Sequence, residues 1–194
     1  MGMEYVLLVS GTEKGRESIS ALLREAGGCP VITAVSSGSE ARRMILDGEW
    51  DMVVINSPLP DESGEDLARM VTERTLSATI MMVRMEFVDE VAAIVEDAGV
   101  LVVPKPIVRQ MFFQSLKLAT AMRRRLTGLR SENSRLQQKI EEIKLVDRAK
   151  CALIQYLAMG EQQAHRHIEK QAMDLRLSRR EVAERIIKTY EKGR

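Results

Sequence analysis

Long apolar runs are missing from this 194-residue chain: stretches such as Ile80–Val83 and Val100–Val103 stop after four residues, far short of the ~20 that a helix needs to cross a bilayer. A membrane span is therefore excluded. Basic residues are missing ahead of the first apolar segment, where Glu4 stands instead, so no cleavable secretory signal is expected. Cysteine is scarce. Its two copies, Cys29 and Cys151, form neither a metal-ligand spacing nor a disulfide framework, which predicts a cytoplasmic protein with no metal, cofactor or redox chemistry. A catalytic set is missing too, since no nucleophile, base and oxyanion donors fall into a recognisable arrangement. The length allows one ordinary domain or two small ones.

Charge of one sign is not in excess: 29 Lys and Arg stand against 28 Asp and Glu, a formal net charge of +1. That balance hides a division. Residues 1–121 hold 11 basic and 18 acidic side chains, residues 122–142 six and three, and residues 143–194 twelve and seven. An acidic front joined to a basic back points to nucleic-acid binding by the basic part, although basic helical tails are also often only solvated faces.

What is present in the first 107 residues is alternation. Apolar runs at Tyr5–Val9, Val31–Val35, Met52–Ile55, Ile80–Val83 and Val100–Val103 are continuous, as in strands buried on both faces. Between them helical patterns fall at Glu13–Ala26 (Ile19, Leu22 and Leu23 on one face), Ser39–Leu46, Ser63–Arg74 (Leu67, Met70, Val71) and Phe87–Ala98 (Val91, Ile94, Val95). Strands alternating with helices of that length predict βαβ units and a doubly wound α/β fold, a five-stranded parallel sheet. Ligands of such a sheet sit beyond the carboxyl ends of its strands.

The residues at those ends resemble a response-regulator receiver domain, a flavodoxin-like fold, over about residues 4–118. Asp51-Met-Val-Val-Ile-Asn56 with Ser57-Pro-Leu-Pro60 and Gly64 is similar to the receiver's third strand and loop, and Lys105-Pro106 to its Lys-Pro pair. The resemblance implies a phosphorylatable aspartate where Asn56 stands, an Mg²⁺-binding acidic pair where Ser10 and Gly11 stand, and a Thr or Ser where Arg84 stands. Asn56 has a neutral amide in place of the nucleophile. Ser10 and Gly11 lack the anionic oxygens that Mg²⁺ prefers. Arg84 and Lys105 bring two cations toward a pocket without its anions, and Arg84 is expected to fill the space of a phosphate. These departures describe a pseudo-receiver whose surface serves either as a scaffold or as the site of a regulatory protein or small effector.

From Val108 onward the pattern is one long helix. A heptad series places Ala119, Leu126, Asn133 and Ile140 at a, with Met122, Leu129, Leu136 and Ile143 at d, the seam of a coiled coil. A homodimer through Leu126, Leu129, Asn133, Leu136 and Ile140 is expected, with the buried Asn setting register; the other reading is a long helix packed on its own domain. In a parallel pair Arg125 would face Arg130 and Lys139 would face Lys144, so an antiparallel pairing stays open.

After Ile143 the heptad breaks and three short helices are expected. Val146, Ala149, Leu153, Ile154 and Leu157 line the first; Met159-Gly160 turns; Ala164, His167, Ile168, Gln171, Ala172 and Leu175 line the second; Ser178 and Glu181 form a capping box for a third with Val182, Ile186 and Tyr190 inward. This stretch resembles an ANTAR domain over about residues 143–191. The resemblance rests on Ala149-Lys150 with Leu153, Glu161 through Ala164, Gln171-Ala172-Met173-Asp174, Val182-Ala183-Glu184 and Ile186-Ile187. His165 stands where the family often has an aromatic, and Ile154 where it often has methionine.

The resemblance implies an RNA-binding transcription antiterminator that grips paired stem-loops in a nascent leader. Physical reasoning selects the contacts, since cations neutralise phosphate and flat side chains stack on loop bases. Lys150 leads, followed by Arg176, Arg179 and Arg180 around the turn into the third helix, then Arg148, His165 and Arg166. The expected organisation is a pseudo-receiver over 1–118, a dimerising helix over 119–143 and an RNA-binding domain over 144–194. Without a phosphorylatable aspartate, control passes to a partner or effector. The rival reading is a DNA-binding regulator, opposed by the Glu181 and Glu184 carboxylates and the shortage of Asn and Gln on the third helix; a purely protein-interacting module is a third.

Overall fold

Strand after strand of the first unit is apolar throughout because helices cover both faces of its sheet. A computed structural model describes residues 4–27 and 30–191, and Cys29 lies outside the described residues. The chain forms two compact units that divide between Gly128 and Leu129.

In the first unit, strands β1 (Tyr5–Ser10), β2 (Val31–Val35), β3 (Met52–Asn56), β4 (Ala78–Arg84) and β5 (Leu101–Lys105) alternate with helices α1 (Glu13–Glu25), α2 (Gly38–Asp47), α3 (Glu65–Arg74) and α4 (Val88–Val95). All strand pairs are parallel, in the order β2-β1-β3-β4-β5. Leu7, Val9, Val53, Ile55, Met81 and Val83 point to one face and pack on α2, α3 and α4. Val6, Leu8, Met52, Val54, Ile80 and Met82 point to the other, against α1 and against Phe112, Leu116 and Ala119 of the helix that follows β5.

Helix starts follow the capping chemistry of the sequence. Thr12 Oγ1 accepts from Gly15 N at 3.2 Å, and Ser37 Oγ accepts from Glu40 N at 3.2 Å while Glu40 reaches back to Ser36 N. Gly64 enters α3 with φ 106°, a left-handed conformation suited to glycine, and a Cβ there would lie 3.2 Å from Ile55 Cγ2. Strands β1, β3 and β5 run on to Ser10, Asn56 and Lys105, past the apolar runs that marked them in the sequence. Helix α4 is shorter than the periodicity predicts because 3₁₀ turns flank it at Met85–Phe87 and Glu96–Ala98. Ile94 is exposed, not inward, since Val91 and Val95 already occupy the one narrow face this short helix presents to the core.

Helix α5 runs unbroken from Arg109 to Leu157, followed by α6 (Glu161–Leu175) and α7 (Arg179–Glu191). The connector and the first of the three expected short helices are thus one helix. The break in the heptad marks a change of buried face, not a turn. Ala119, the first expected seam residue, is 3% exposed and packs in the core of the first unit, whereas every residue from 124 to 141 is exposed. In the second unit Ala149, Ala152 and Leu153 of α5 meet Ala164 and Ile168 of α6 and Val182, Ala183 and Ile186 of α7. Ile154, Leu157 and Leu175, expected inward, are exposed; Ile154 lies one position off the buried row of Ala149, Ala152 and Leu153, and Leu157 and Leu175 are the last residues of α5 and α6.

Candidate functional site

At the carboxyl ends of the strands, register sets Ser10 beside Asn56 and Arg84 beside Lys105. The groups there satisfy one another. Asn56 Nδ2 donates to the Oγ of fully buried Ser10 at 3.0 Å, and Asn56 Oδ1 accepts from Lys105 Nζ at 3.0 Å. Lys105 Nζ also donates to the Ser57 carbonyl, and Arg16 donates to the Ser10 carbonyl at 2.8 Å. Burial, with Arg84 as a second cause, lowers the Lys105 pKa.

The space is filled as well. A Cβ on Gly11 would lie 2.7 Å from the Pro60 ring, and one on Gly15 2.6 Å from Ser10 Oγ. The Mg²⁺ implied by the receiver resemblance does not fit. Its oxygens here would be an amide, a hydroxyl and carbonyls, and the cations of Lys105 and Arg16 already hold three of them.

Arg84 does not fill a phosphate's place, as the sequence had suggested. Its guanidinium is exposed, 2.8 Å from Glu86 and 4.7 Å above the Phe87 ring, because the 3₁₀ turn after β4 offers both partners outside the crevice. Between Asn56 and α3 the loop is pinned to α2. Asp61 accepts from Gly38 N, Ser39 N and Ser39 Oγ at 2.9 Å each, and Glu62 pairs with Arg42 in a fork. The two backbone donors at the start of α2 hold the Asp61 pKa down at about 2.

The second unit presents its polar chemistry outward. Lys150 is the exception: its Nζ lies 2.7 Å from Asp147 and 3.5 Å from Glu161, the side chain is 17% exposed, and the Asp147 carboxylate above all raises its pKa. It ties α5 to α6. At the α6–α7 turn Arg176 takes a left-handed conformation, φ 53° and ψ 41°, and caps α6 with its backbone N–H. Two residues on, the Ser178–Glu181 capping box forms as the sequence predicts, with Glu181 N to Ser178 Oγ at 3.2 Å and Ser178 N to Glu181 Oε2 at 2.8 Å. Arg179 lies 3.5 Å from Glu142 and Arg180 3.0 Å from Glu184, all four being at least a third exposed. His165 is 3.3 Å from Glu169.

Solved structures match the first unit. A signal receiver domain of an HD domain-containing protein from Pseudomonas fluorescens Pf-5 superposes with a TM-score of 0.58 at 16% identity, covering 66% of this chain and 94% of that one. A response regulator receiver domain protein from Clostridium thermocellum does so at 0.55 and 22% identity, covering 64% and 99%. These likenesses show the fold. Residues 134–187 match the ANTAR domain family. The chain carries an ANTAR domain behind a receiver-fold domain. It is also 27% identical over 185 residues to the transcriptional regulatory protein PdtaR of Mycobacterium tuberculosis strain H37Rv, covering 95% of this chain and 89% of that protein.

In the ANTAR domain the structure brings Arg176, Arg179 and Arg180 to one turn, while Lys150 stands in a helix–helix ion-pair bridge. Arg148, His165 and Arg166 are exposed on α5 and α6. Sequence reasoning missed Tyr156. Its ring stacks on Tyr190 with centroids 5.7 Å apart and planes at 17°, and Tyr156 is 49% exposed. These are the only Phe, Tyr or Trp rings in residues 129–194, a scarcity that marked both for attention. Met173, inside the matched Gln171–Asp174 run, is 79% exposed and so has no packing role.

Proposed function

We propose that this chain is a cytoplasmic, non-catalytic antiterminator that binds paired stem-loops in nascent leader RNA as a homodimer. The observation that carries the reading is the α6–α7 turn of the ANTAR domain. There Arg176 is held outward in a left-handed conformation beside Arg179 and Arg180, and the amides at the start of α7 add to the positive field. Arg148, His165, Arg166 and the Tyr156–Tyr190 pair extend the surface that phosphates and loop bases would meet. Lys150 supports this surface by fixing α6 on α5.

Dimerisation uses the row Leu126, Leu129, Asn133, Leu136 and Ile140, whose four apolar side chains are each more than half exposed. Control is independent of phosphate because the Asn56 amide, engaged by Ser10 and Lys105, is no nucleophile. A regulatory protein or small effector on the receiver-fold unit takes that role. The test is in vitro transcription of a template carrying tandem hairpins ahead of a terminator. The chain is expected to raise read-through equally with and without acetyl phosphate. Read-through unchanged by the chain would contradict antitermination, and a rise confined to the acetyl phosphate arm would contradict the control.

A further inference from the structure

Beside Asn56, on the sheet face that α2, α3 and α4 cover, a second crevice of about 220 Å³ opens between the first turns of α3 and α4 and the ends of β3 and β4. Ser57 is the residue that sets it apart. Its amide donates to the Met82 carbonyl at 3.0 Å, so the ladder of β3 on β4 runs one residue past Asn56. Alternation then places the Ser57 side chain on the face of Val53 and Ile55, level with Val83, and Val83 and Val91 of that face line the crevice with it. The Ser57 carbonyl accepts from Lys105 Nζ, which leaves the hydroxyl. Ser57 is 7% exposed, and among the described residues that hydroxyl has no hydrogen-bond partner. A buried polar group left unpaired is costly, and native folds rarely keep one. The unpaired Thr79 hydroxyl is sealed in the packing and that of Ser57 is not.

Charge selects what the crevice takes. Arg84 lines it but is already spent on Glu86 and the Phe87 ring. Glu65 and Glu90 line it too, and neither belongs to an ion pair among the described residues. The helix starts do not require both of these carboxylates, since Asp66 and Asp89 stand in the same first turns. Two uncommitted carboxylates and an unpaired hydroxyl therefore meet one crevice as acceptors without a donor.

We propose that this crevice binds a small primary ammonium compound with a short apolar stem. An ammonium group brings one positive charge and three donors, one for each acceptor. An anion would meet Glu65 and Glu90 as like charges, and a neutral alcohol would leave both carboxylates unbalanced. Pro58, Val83 and Val91 supply the apolar wall for the stem. The volume lies below the ~300–1,000 Å³ of sites for drug-sized molecules, so the ligand is small. A role for this ligand as the effector rests on the phosphate-independent control proposed above; the binding itself does not.

The experiment is a methyl-detected NMR titration of the full chain with butylammonium chloride, and in parallel with 1-butanol and sodium butyrate, at constant ionic strength, following Val83 and Val91. Butylammonium is expected to shift these methyls saturably at millimolar concentration, and butanol and butyrate to bind roughly tenfold or more weakly. S57A removes the hydroxyl and is expected to weaken butylammonium by roughly 3- to 10-fold, the loss of one net hydrogen bond. E65Q/E90Q keeps the shape, removes both charges and is expected to weaken it by roughly tenfold or more while leaving butanol unchanged. No saturable shift with butylammonium, tighter binding of butanol or butyrate, or unchanged affinity in either variant would each overturn the proposal. Repeating the read-through assay with butylammonium separates the two readings: binding that leaves read-through unchanged contradicts the effector role alone.

Discussion

The carboxyl-end crevice of the receiver fold and the outer face of the ANTAR domain both hold cations, and the two use them in opposite ways. In the crevice Lys105 and Arg16 are consumed by the protein's own amide and carbonyl oxygens, with Asn56 closing the circuit through Ser10. On the ANTAR domain Arg179 and Arg180 are held by single exposed carboxylates, pairs that contribute at most about 1 kcal/mol and that another anion can displace. A lysine or arginine therefore says little by its presence. What it donates to decides whether it is part of the fold or part of a binding surface.

The comparison can be broken at several points. The largest effect is expected from the seam. The double substitution L129D/L136D should leave each unit folded yet convert a dimer into a monomer by light scattering, with RNA affinity lower by about 100-fold or more as the second contact is lost. Next, R176Q/R179Q/R180Q should reduce the slope of log affinity against log salt by about 2, since each phosphate contact contributes ~0.7 on single strands. K105M should leave that slope unchanged and instead lower stability in urea by about 1–3 kcal/mol, because Asn56 Oδ1 and the Ser57 carbonyl lose their donor. An effect of K105M on the slope would erase the distinction drawn between the two regions.

Smaller effects sharpen it. R176G should raise ANTAR-domain stability by about 1 kcal/mol, as glycine adopts the left-handed conformation without the Cβ penalty, while weakening RNA binding; a variant that gains stability and keeps full binding would mean the arginine has no contact. Least of all, D61N should alter the acid limb. The Asp61 pKa is lowered from 3.8 to about 2, so its contribution is fully present above pH 3.8 and is lost as pH falls through 2. The stability gap between the native chain and D61N, followed by circular dichroism, should close over that window and be flat above it.

Much of this was legible in the residues. The five strands were marked by runs such as Met52–Ile55 because parallel strands under two helical layers are apolar on both faces. The Asn56, Ser10 and Lys105 positions followed from the strand ends, and the Ser178–Glu181 box from its spacing. Three things were not legible. The continuity of α5 was hidden because a heptad break changes the buried face without breaking the backbone. The pairing of Lys150 with Glu161 required knowing how α6 packs on α5. Arg84 turned away from the crevice because Phe87 and Glu86 lie on a 3₁₀ turn that apolar periodicity does not reveal.

The most direct test is a binding titration of the full chain against a paired-hairpin RNA and a duplex DNA of equal charge across a salt series. The account predicts a preference for RNA that survives at high salt and falls when Arg176 and Arg179 are replaced by glutamine. Equal, steeply salt-dependent binding to both would contradict it, leaving the basic face of the ANTAR domain a generic cationic surface.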